Sequence, residues 1–249
     1  MRKLLSKIFS NILISLLRVF ITSKRLPDFK NVIVLVPHPD DEILGLGGII
    51  LQIIQKGGKV NLVYLTDGEG SRIWPDEVEI KLIRIALSEQ VCRQLGLDDS
   101  VIYRLHLPDG AVPHQDQNGF MEAVQSIVKL IGMIKPDAIF ATHTLEYWPF
   151  DHVACANIAR EAVIQSENKT QLWYYWVWTW FNIRLLRLLK IKFRDLWKID
   201  VREQMTQKKE LIDVYLNAYT PEGKPWSGVL PLPLLKVFNY PVEIIARII

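Results

Sequence analysis

The chain has 249 residues, of which 49% are apolar and 23% charged, and its formal net charge is +3. Such a chain is long and apolar enough for one α/β domain with a core on both faces of a sheet, which excludes wholesale disorder. The weak positive balance gives no footing for a nucleic-acid partner. The two cysteines, Cys92 and Cys155, show no CxxC spacing, which excludes a disulfide framework and fits buried thiols in a reducing compartment.

The first 28 residues, beginning MRKLLSKIFSNILISLLRVFITSKRL, are basic, then apolar, then basic again. Asn11, Ser15 and Arg18 interrupt the apolar run, so a clean span of about 20 apolar residues is not present. No small-residue cleavage site follows, which argues against a secretory signal. Ile8, Leu13, Leu16, Leu17, Phe20 and Ile21 share much of one helical surface. An amphipathic helix, lying in a membrane interface or docked on the domain, is expected here ahead of a signal anchor.

Residues 29–218 read as one domain. NVIVLV (31–36) is an apolar run of the kind buried on both faces of a sheet. A helical pattern over 41–56 follows and stops at Gly57-Gly58. KVNLVYLT (59–66) predicts a second strand, 75–95 a helix ending at Gly96, and SVIYRLHL (100–107) a third strand. A helix over 119–134, a strand over 137–143, a helix after Asp151 and a strand over 171–178 complete the series. Strands alternating with helices predict an α/β fold with a mostly parallel sheet covered on both faces. Residues 219–249 form an apolar, basic extension expected to pack on the domain or on a membrane.

In such sheets ligands gather at the carboxyl ends of the strands, and the informative polar residues fall there. His38, Asp40 and Asp41 follow the first strand, Asp67, Glu69 and Arg72 the second, and Asp109 the third. His143, Glu146, Tyr147, Asp151 and His152 follow the fourth. A catalytic zinc site takes three ligands from His, Asp or Glu and keeps one position open. His38 and Asp41 lie three apart across a strand-to-helix turn, so both can face one ion. Asp40, between them, faces another way and is placed to take a proton from a water that the ion has acidified. His152, in WPFDH, stands at the same end of the sheet as a third ligand. The competing reading of Asp40-Asp41-Glu42 is a helix N-terminus, where acids cap and meet the helix dipole. That reading gives no reason for a histidine at the strand end.

PHPDDEILGLGG (37–48) resembles the PHPDDE motif of the PIG-L/LmbE family of zinc-dependent N-acetylglucosamine deacetylases. The resemblance covers 30–165 and takes in LTDGEGS (65–71), Arg84 ahead of Leu95-Gly96, LPDG (107–110) and DHVA (151–154). It implies a Rossmann-like three-layer αβα sandwich. It also implies His38, Asp41 and His152 as ligands of Zn2+, with Fe2+ permitted by the same donors, and Asp40 as general base. Arg84 falls at a substrate-binding arginine and Asp109 at a sugar-hydroxyl contact. The plainer readings are a helix-surface charge and a Pro-Asp-Gly turn. Asp67 and Arg72 join them as candidate substrate contacts. Many relatives read H-x-D-H where this chain has Pro149-Phe150-Asp151-His152, so the histidine that helps stabilise the oxyanion is absent. Tyr147, His143 or Glu146 could serve instead, Tyr147 because a phenol donates to a developing oxyanion. Asp151 is expected to orient a neighbouring histidine. The implied reaction releases acetate from the acetamide of an N-acetylglucosamine-type glycoconjugate.

LWYYWVWTWFNIRLLRLLKIKFRDLWK (172–198) interleaves Trp and Leu with Arg and Lys, which suits a membrane interface or, equally, a core strand followed by a basic helix. A cytoplasmic protein in peripheral membrane contact, acting on a lipid-linked amino sugar, is the resulting expectation. Three other readings compete: a noncatalytic sugar-binding homologue, a hydrolase of another amide, and a nucleotide-binding module built on Gly45-Leu46-Gly47-Gly48.

Overall fold

Asn31–Val36 forms strand β1, and every residue after Asn31 is buried, as a run without polar alternation requires. The computed structural model describes residues 21–146, 148–182 and 193–249. Within them follow β2 (Lys59–Tyr64), β3 (Ile102–Arg104), β4 (Ala138–Thr142), β5 (Gln171–Tyr175), β6 (Leu196–Asp200) and β7 (Val242–Arg247). Among the described residues these make one seven-stranded sheet in the order β3-β2-β1-β4-β5-β7-β6. The first five strands are parallel, and β7 runs antiparallel to both β5 and β6. The α/β sandwich with a mostly parallel sheet is therefore as expected, with an antiparallel edge added to it. The third strand is shorter than expected. Asp99–Val101 closes into a 3-10 turn, with Asp98 accepting the Ser100 N–H at 2.9 Å, and His106, at φ 52, turns the chain away beyond it.

The main helices are α1 (Asp41–Gln55), α2 (Glu77–Gln94), α3 (Phe120–Ile134), α4 (Phe150–Gln165), α5 (Met205–Leu216) and α6 (Leu232–Phe238). α5 packs on α1 and α2, while α3 packs on α4. Two neighbours in β5 place these groups on opposite faces of the sheet. Tyr174 Oη donates to Ala156 O of α4 at 3.0 Å, whereas the Tyr175 ring lies against Gly45 of α1.

α1 sits close to its neighbours because its glycines allow it. A Cβ on Gly45 would stand 2.5 Å from Tyr175 Cδ2, and one on Gly48 would stand 2.5 Å from Val201 Cβ. These glycines lie within a helix and not in a strand-to-helix turn, so they are packing residues and the nucleotide-loop reading falls.

Part of the extension 219–249 enters the fold as α6 and β7. Glu243 of β7 reaches α1, where its carboxylate accepts the Gly48 N–H at 2.7 Å and the Ile49 N–H at 2.9 Å. Lys208 of α5 pairs with Glu243 at 2.7 Å and donates to Leu44 O at 3.2 Å. Both side chains are buried, so losing one partner strands a charge, at a cost of about 3–5 kcal/mol.

At the other end, Ile21 is buried and Ser23 bridges to Lys198. The amphipathic-helix expectation falls on residues 1–20, and most of the basic stretch on 183–192, which lie outside the described residues. No helix among the described residues is long and apolar enough to cross a membrane.

Gly48→Ala is expected to lower the free energy of unfolding by about 1–3 kcal/mol through overpacking against Val201. A fall in denaturant midpoint at unchanged slope reads it.

Candidate metal centre and active site

The turn after β1 carries the first donors. Asp40 occupies the N-cap of α1 at φ 121, ψ −30, and its side chain makes no capping hydrogen bond. A non-glycine residue in this region costs about 1–3 kcal/mol, so the surroundings must hold it. Glu42 accepts the Asp40 N–H at 3.0 Å, and Glu42 is itself held by Tyr215 Oη at 2.5 Å and Tyr64 Oη at 3.2 Å. The acids of the motif thus start the helix while leaving the Asp40 carboxylate out of the capping role.

Asp41 Oδ2 is the meeting point. It lies 3.1 Å from His38 Nδ1 and 3.1 Å from His152 Nε2. Each ring is held from behind by a second carboxylate. His38 Nε2 lies 3.0 Å from Asp151 Oδ2 and 3.2 Å from Asp109 Oδ1, and His152 Nδ1 bonds to Glu146. The backing carboxylates are fixed in turn. Asp151 accepts N–H groups from Gly110 (2.6 Å) and Val112 (3.1 Å). Glu146 Oε1 accepts from Val177 N (2.7 Å), Thr179 N (3.1 Å) and Thr179 Oγ1 (3.1 Å).

This arrangement fits a metal ion. One ligand atom from each of His38, Asp41 and His152 lies within 4.8 Å of the others. His152 Nε2 is buried and has no hydrogen-bond partner, because its contact with Asp41 lacks hydrogen-bond geometry. A buried imidazole nitrogen aimed at a carboxylate, with its other nitrogen on a carboxylate, is the donor arrangement of a His/Asp/His centre. His38, Asp109 and Asp151 form a second cluster of suitable spacing. There, both Asp151 oxygens already accept backbone N–H groups, which fits orientation of His38 better than ligation.

The electrostatics follow from crowding of acids in a dry site. Burial opposes charge on His152, but Asp41 and Glu146 outweigh it and lift its pKa to about 9. Burial likewise works against charged His38, and Asp109, Asp151 and Asp41 more than compensate. Burial raises Asp41, yet the two histidines pull it below the ordinary carboxylate range. Asp40 goes the other way: burial, with Asp41 and Glu42 nearby, holds it well above that range against the pull of Arg84. Glu42 is pushed up by burial to about 7.

A cleft of about 650 Å³ opens over the centre. Its lining includes the polar Glu69, Arg72, Arg84 and Asp109 and the apolar Trp148, Phe150, Trp178, Val229 and Leu230. Arg72 is exposed in the cleft, while Asp109 is tied inward to His38 and to the Gly70 N–H at 2.8 Å. Arg84 borders the cleft, but its guanidinium is directed at Pro39 O, Gly68 O and Asp40. Asp67 does not line the cleft. It is buried among Lys81 (2.9 Å), His106 (2.6 Å) and Arg104 (3.6 Å), where it ties α2 to the sheet edge. His143 also stands away, packed on Tyr174 and Trp176. Tyr147 lies outside the described residues. The role of Glu146 behind His152 was missed. An acid six residues before a candidate ligand histidine, on the loop leading into its helix, was the available signal. Ser227–Leu230 reach the cleft from the extension with no signal in the local sequence.

Fold and donor set define an α/β protein with a candidate His/Asp/His centre where β1 and β4, adjacent in the sheet, end. The family model for PIG-L, described as GlcNAc-PI de-N-acetylase, matches residues 33–163, more than half of the chain, and the chain belongs to that family. Over 142 residues it is 27% identical to a probable N-acetyl-alpha-D-glucosaminyl L-malate deacetylase 2 of Bacillus subtilis, spanning 55% of this chain and 60% of that relative. Its fold is similar to that of N,N'-diacetylchitobiose deacetylase from Pyrococcus horikoshii, with TM-score 0.63, 24% identity and coverage of 78% of this chain and 73% of that one. It is also similar to GalB, the 4-carboxy-2-hydroxymuconate hydratase of Pseudomonas putida KT2440, with TM-score 0.57, 14% identity and coverage of 88% and 95%. A hydratase on the same fold means that the fold alone does not select the reaction.

Glu146→Gln is expected to weaken divalent-metal binding by about 10–100-fold, because the His152 ring loses its anionic support. Competition against a chromophoric chelator measures this. A second outcome concerns His143, whose pKa burial lowers from 6.5 to about 4. Between those values the unfolded chain takes up a proton that the native site resists, so stability falls as pH drops through that window. His143→Gln is expected to remove this part of the acid destabilisation, seen as a shallower fall of Tm relative to wild type.

Proposed function

We propose that this protein hydrolyses the acetamide of an N-acetylglucosamine-type glycoconjugate, releasing acetate and a free amine, with Zn2+ held by His38, Asp41 and His152. The observation that carries the reading is the convergence of two backed imidazoles on one oxygen of Asp41, beside an Asp40 carboxylate outside that set. When bound, a divalent ion supplies Lewis acidity toward the amide carbonyl and makes water more acidic. Fe2+ suits the same donors. Asp40 takes the proton of the attacking water and returns it to the departing amine. A carboxylate whose pKa burial has raised is suited to hold that proton between the two steps. Asp151 and Glu146 keep the ligand rings from turning. Arg72 is an exposed cleft side chain available to a sugar hydroxyl, and Asp109 lines the same cleft. With Pro149 in place of the usual histidine, Tyr147 is assigned the oxyanion contact on sequence grounds.

The aglycone is read from the apolar part of the lining. Trp148 (48% exposed), Phe150 (57%) and Val229 (73%) present apolar surface at the cleft mouth. Such a rim supports a lipid-linked or otherwise hydrophobic aglycone, presented at a membrane periphery. The Pro149 departure favours one second reading, a sugar-binding relative without turnover. Acetate release from free and lipid-linked N-acetylated sugars separates the two. The metal-loaded wild type is expected to release acetate, and Asp40→Ala to lose about 10²–10⁴-fold in rate while keeping its metal. Full activity in that variant overturns the role of Asp40. Silence of the metal-loaded wild type across the panel selects the binding-only reading.

A further inference from the structure

Arg84 stands two turns into α2 with its side chain 4% exposed, although it borders the cleft. Its hydrogen bonds run inward. Nη2 donates to Pro39 O and lies 3.3 Å from Asp40 Oδ2, while Nη1 donates to Gly68 O at 3.3 Å. The seat for the guanidinium is made by a glycine. Gly68 has φ +82, and a Cβ there would stand 2.4 Å from Arg84 Nε. A side chain at that position would therefore expel the guanidinium.

What Arg84 grips is the strained residue of the turn. Asp40, at φ 121 and ψ −30, lies in a region that L-residues avoid, and it has no side-chain cap bond to hold it there. The guanidinium spans the peptide on both sides of that strain, meeting the Pro39 carbonyl before it and the Asp40 carboxylate after it. Among the described residues Arg84 makes the only ion pair with Asp40. A rigid planar fork can hold two acceptors at fixed angles, which a lysine ammonium does not reproduce. We propose that Arg84 is a positioning residue that clamps Asp40 in its strained, site-facing conformation, and is not a ligand for the sugar. The proposal rests on Asp40 being the general base.

The test is steady-state acetate release by metal-loaded wild type, Arg84→Ala and Arg84→Lys, with metal content measured for each. Clamping predicts that kcat falls by about 10²-fold in Arg84→Ala, the scale expected when a reacting group is misplaced by an ångström. KM should stay within about twofold and metal content should not change. Arg84→Lys should recover little, and added guanidinium at millimolar concentration should partly restore kcat to Arg84→Ala. A KM raised tenfold or more at preserved kcat makes Arg84 a sugar ligand and overturns the proposal. If Arg84→Ala does not fold, Arg84→Lys is judged by the same split of kcat from KM. Asp40→Asn, run in parallel, isolates the general-base reading: activity retained there sinks that reading by itself. The crystal structure of the Arg84 variant reads the clamp without turnover. Asp40 leaving the positive-φ region supports it, and Asp40 unmoved overturns it.

Discussion

Two imidazoles can point at one carboxylate oxygen only if neither ring is free to turn. Everything around the candidate centre serves that constraint. Asp151 stops the His38 ring and is itself stopped by two backbone N–H groups of the loop after β3. Glu146 stops the His152 ring and is stopped by the chain leaving β5. The ligands come from β1 and β4, yet the rigidity comes from strands further out on either side. The sheet order explains why this is possible. From β1 the chain winds outward through β2 to β3, and it then returns to place β4 and β5 on the other side. The centre lies where those two directions part, which is where an open α/β sheet leaves a crevice.

β1, β4 and β5 were legible because each is almost wholly an apolar run, as a strand covered on both faces must be, whereas Asn61 interrupts β2 and the part-buried β3 carries Arg104. β6 and β7 were not. LWKID and VEIIAR mix charge with apolar residues, and they follow segments whose aromatic and basic pattern also suits a membrane. Glu243 explains the difficulty: an acid within an apolar strand makes sense only beside Lys208, a partner 35 residues earlier. His38, Asp41 and His152, whose ligand atoms lie within 4.8 Å of one another, were legible as a group because two histidines and an acid at one edge of a sheet have few other uses. Asp67 and His143 gave the same kind of signal and are placed elsewhere. Position after a strand fixes the edge of the sheet at which a side chain lies, but not whether it faces the cleft or the core. Asp67 turned to Lys81, Arg104 and His106, and His143 to Tyr174 and Trp176.

Asp40, Asp41 and Glu42 are three successive carboxylates with three different protonation behaviours. Asp41 is pulled down by the two histidines, Asp40 is raised mainly by burial, and Glu42 rises to about 7 while held by two tyrosines. The differences come from direction and not from sequence, since one backbone turn sends the three side chains into three surroundings. The left-handed φ of Asp40 is what separates its carboxylate from that of Asp41. The helix start and the candidate metal site, which compete as readings of the same letters, are therefore one structure.

The buried Glu243 ties β7 to the middle of α1, 195 residues away from Gly48. This has a consequence for biosynthesis. A chain still emerging from the ribosome can present His38, Asp41 and His152 long before residue 243 is made. Until then the glycine-rich middle of α1 lacks its carboxylate, and Lys208 lacks its counter-charge in the core. The nascent protein thus carries the candidate donors before it carries the carboxylate that accepts the Gly48 and Ile49 N–H groups. The contact that fixes the middle of α1 therefore forms only once β7, the seventh strand of the sheet, has been made.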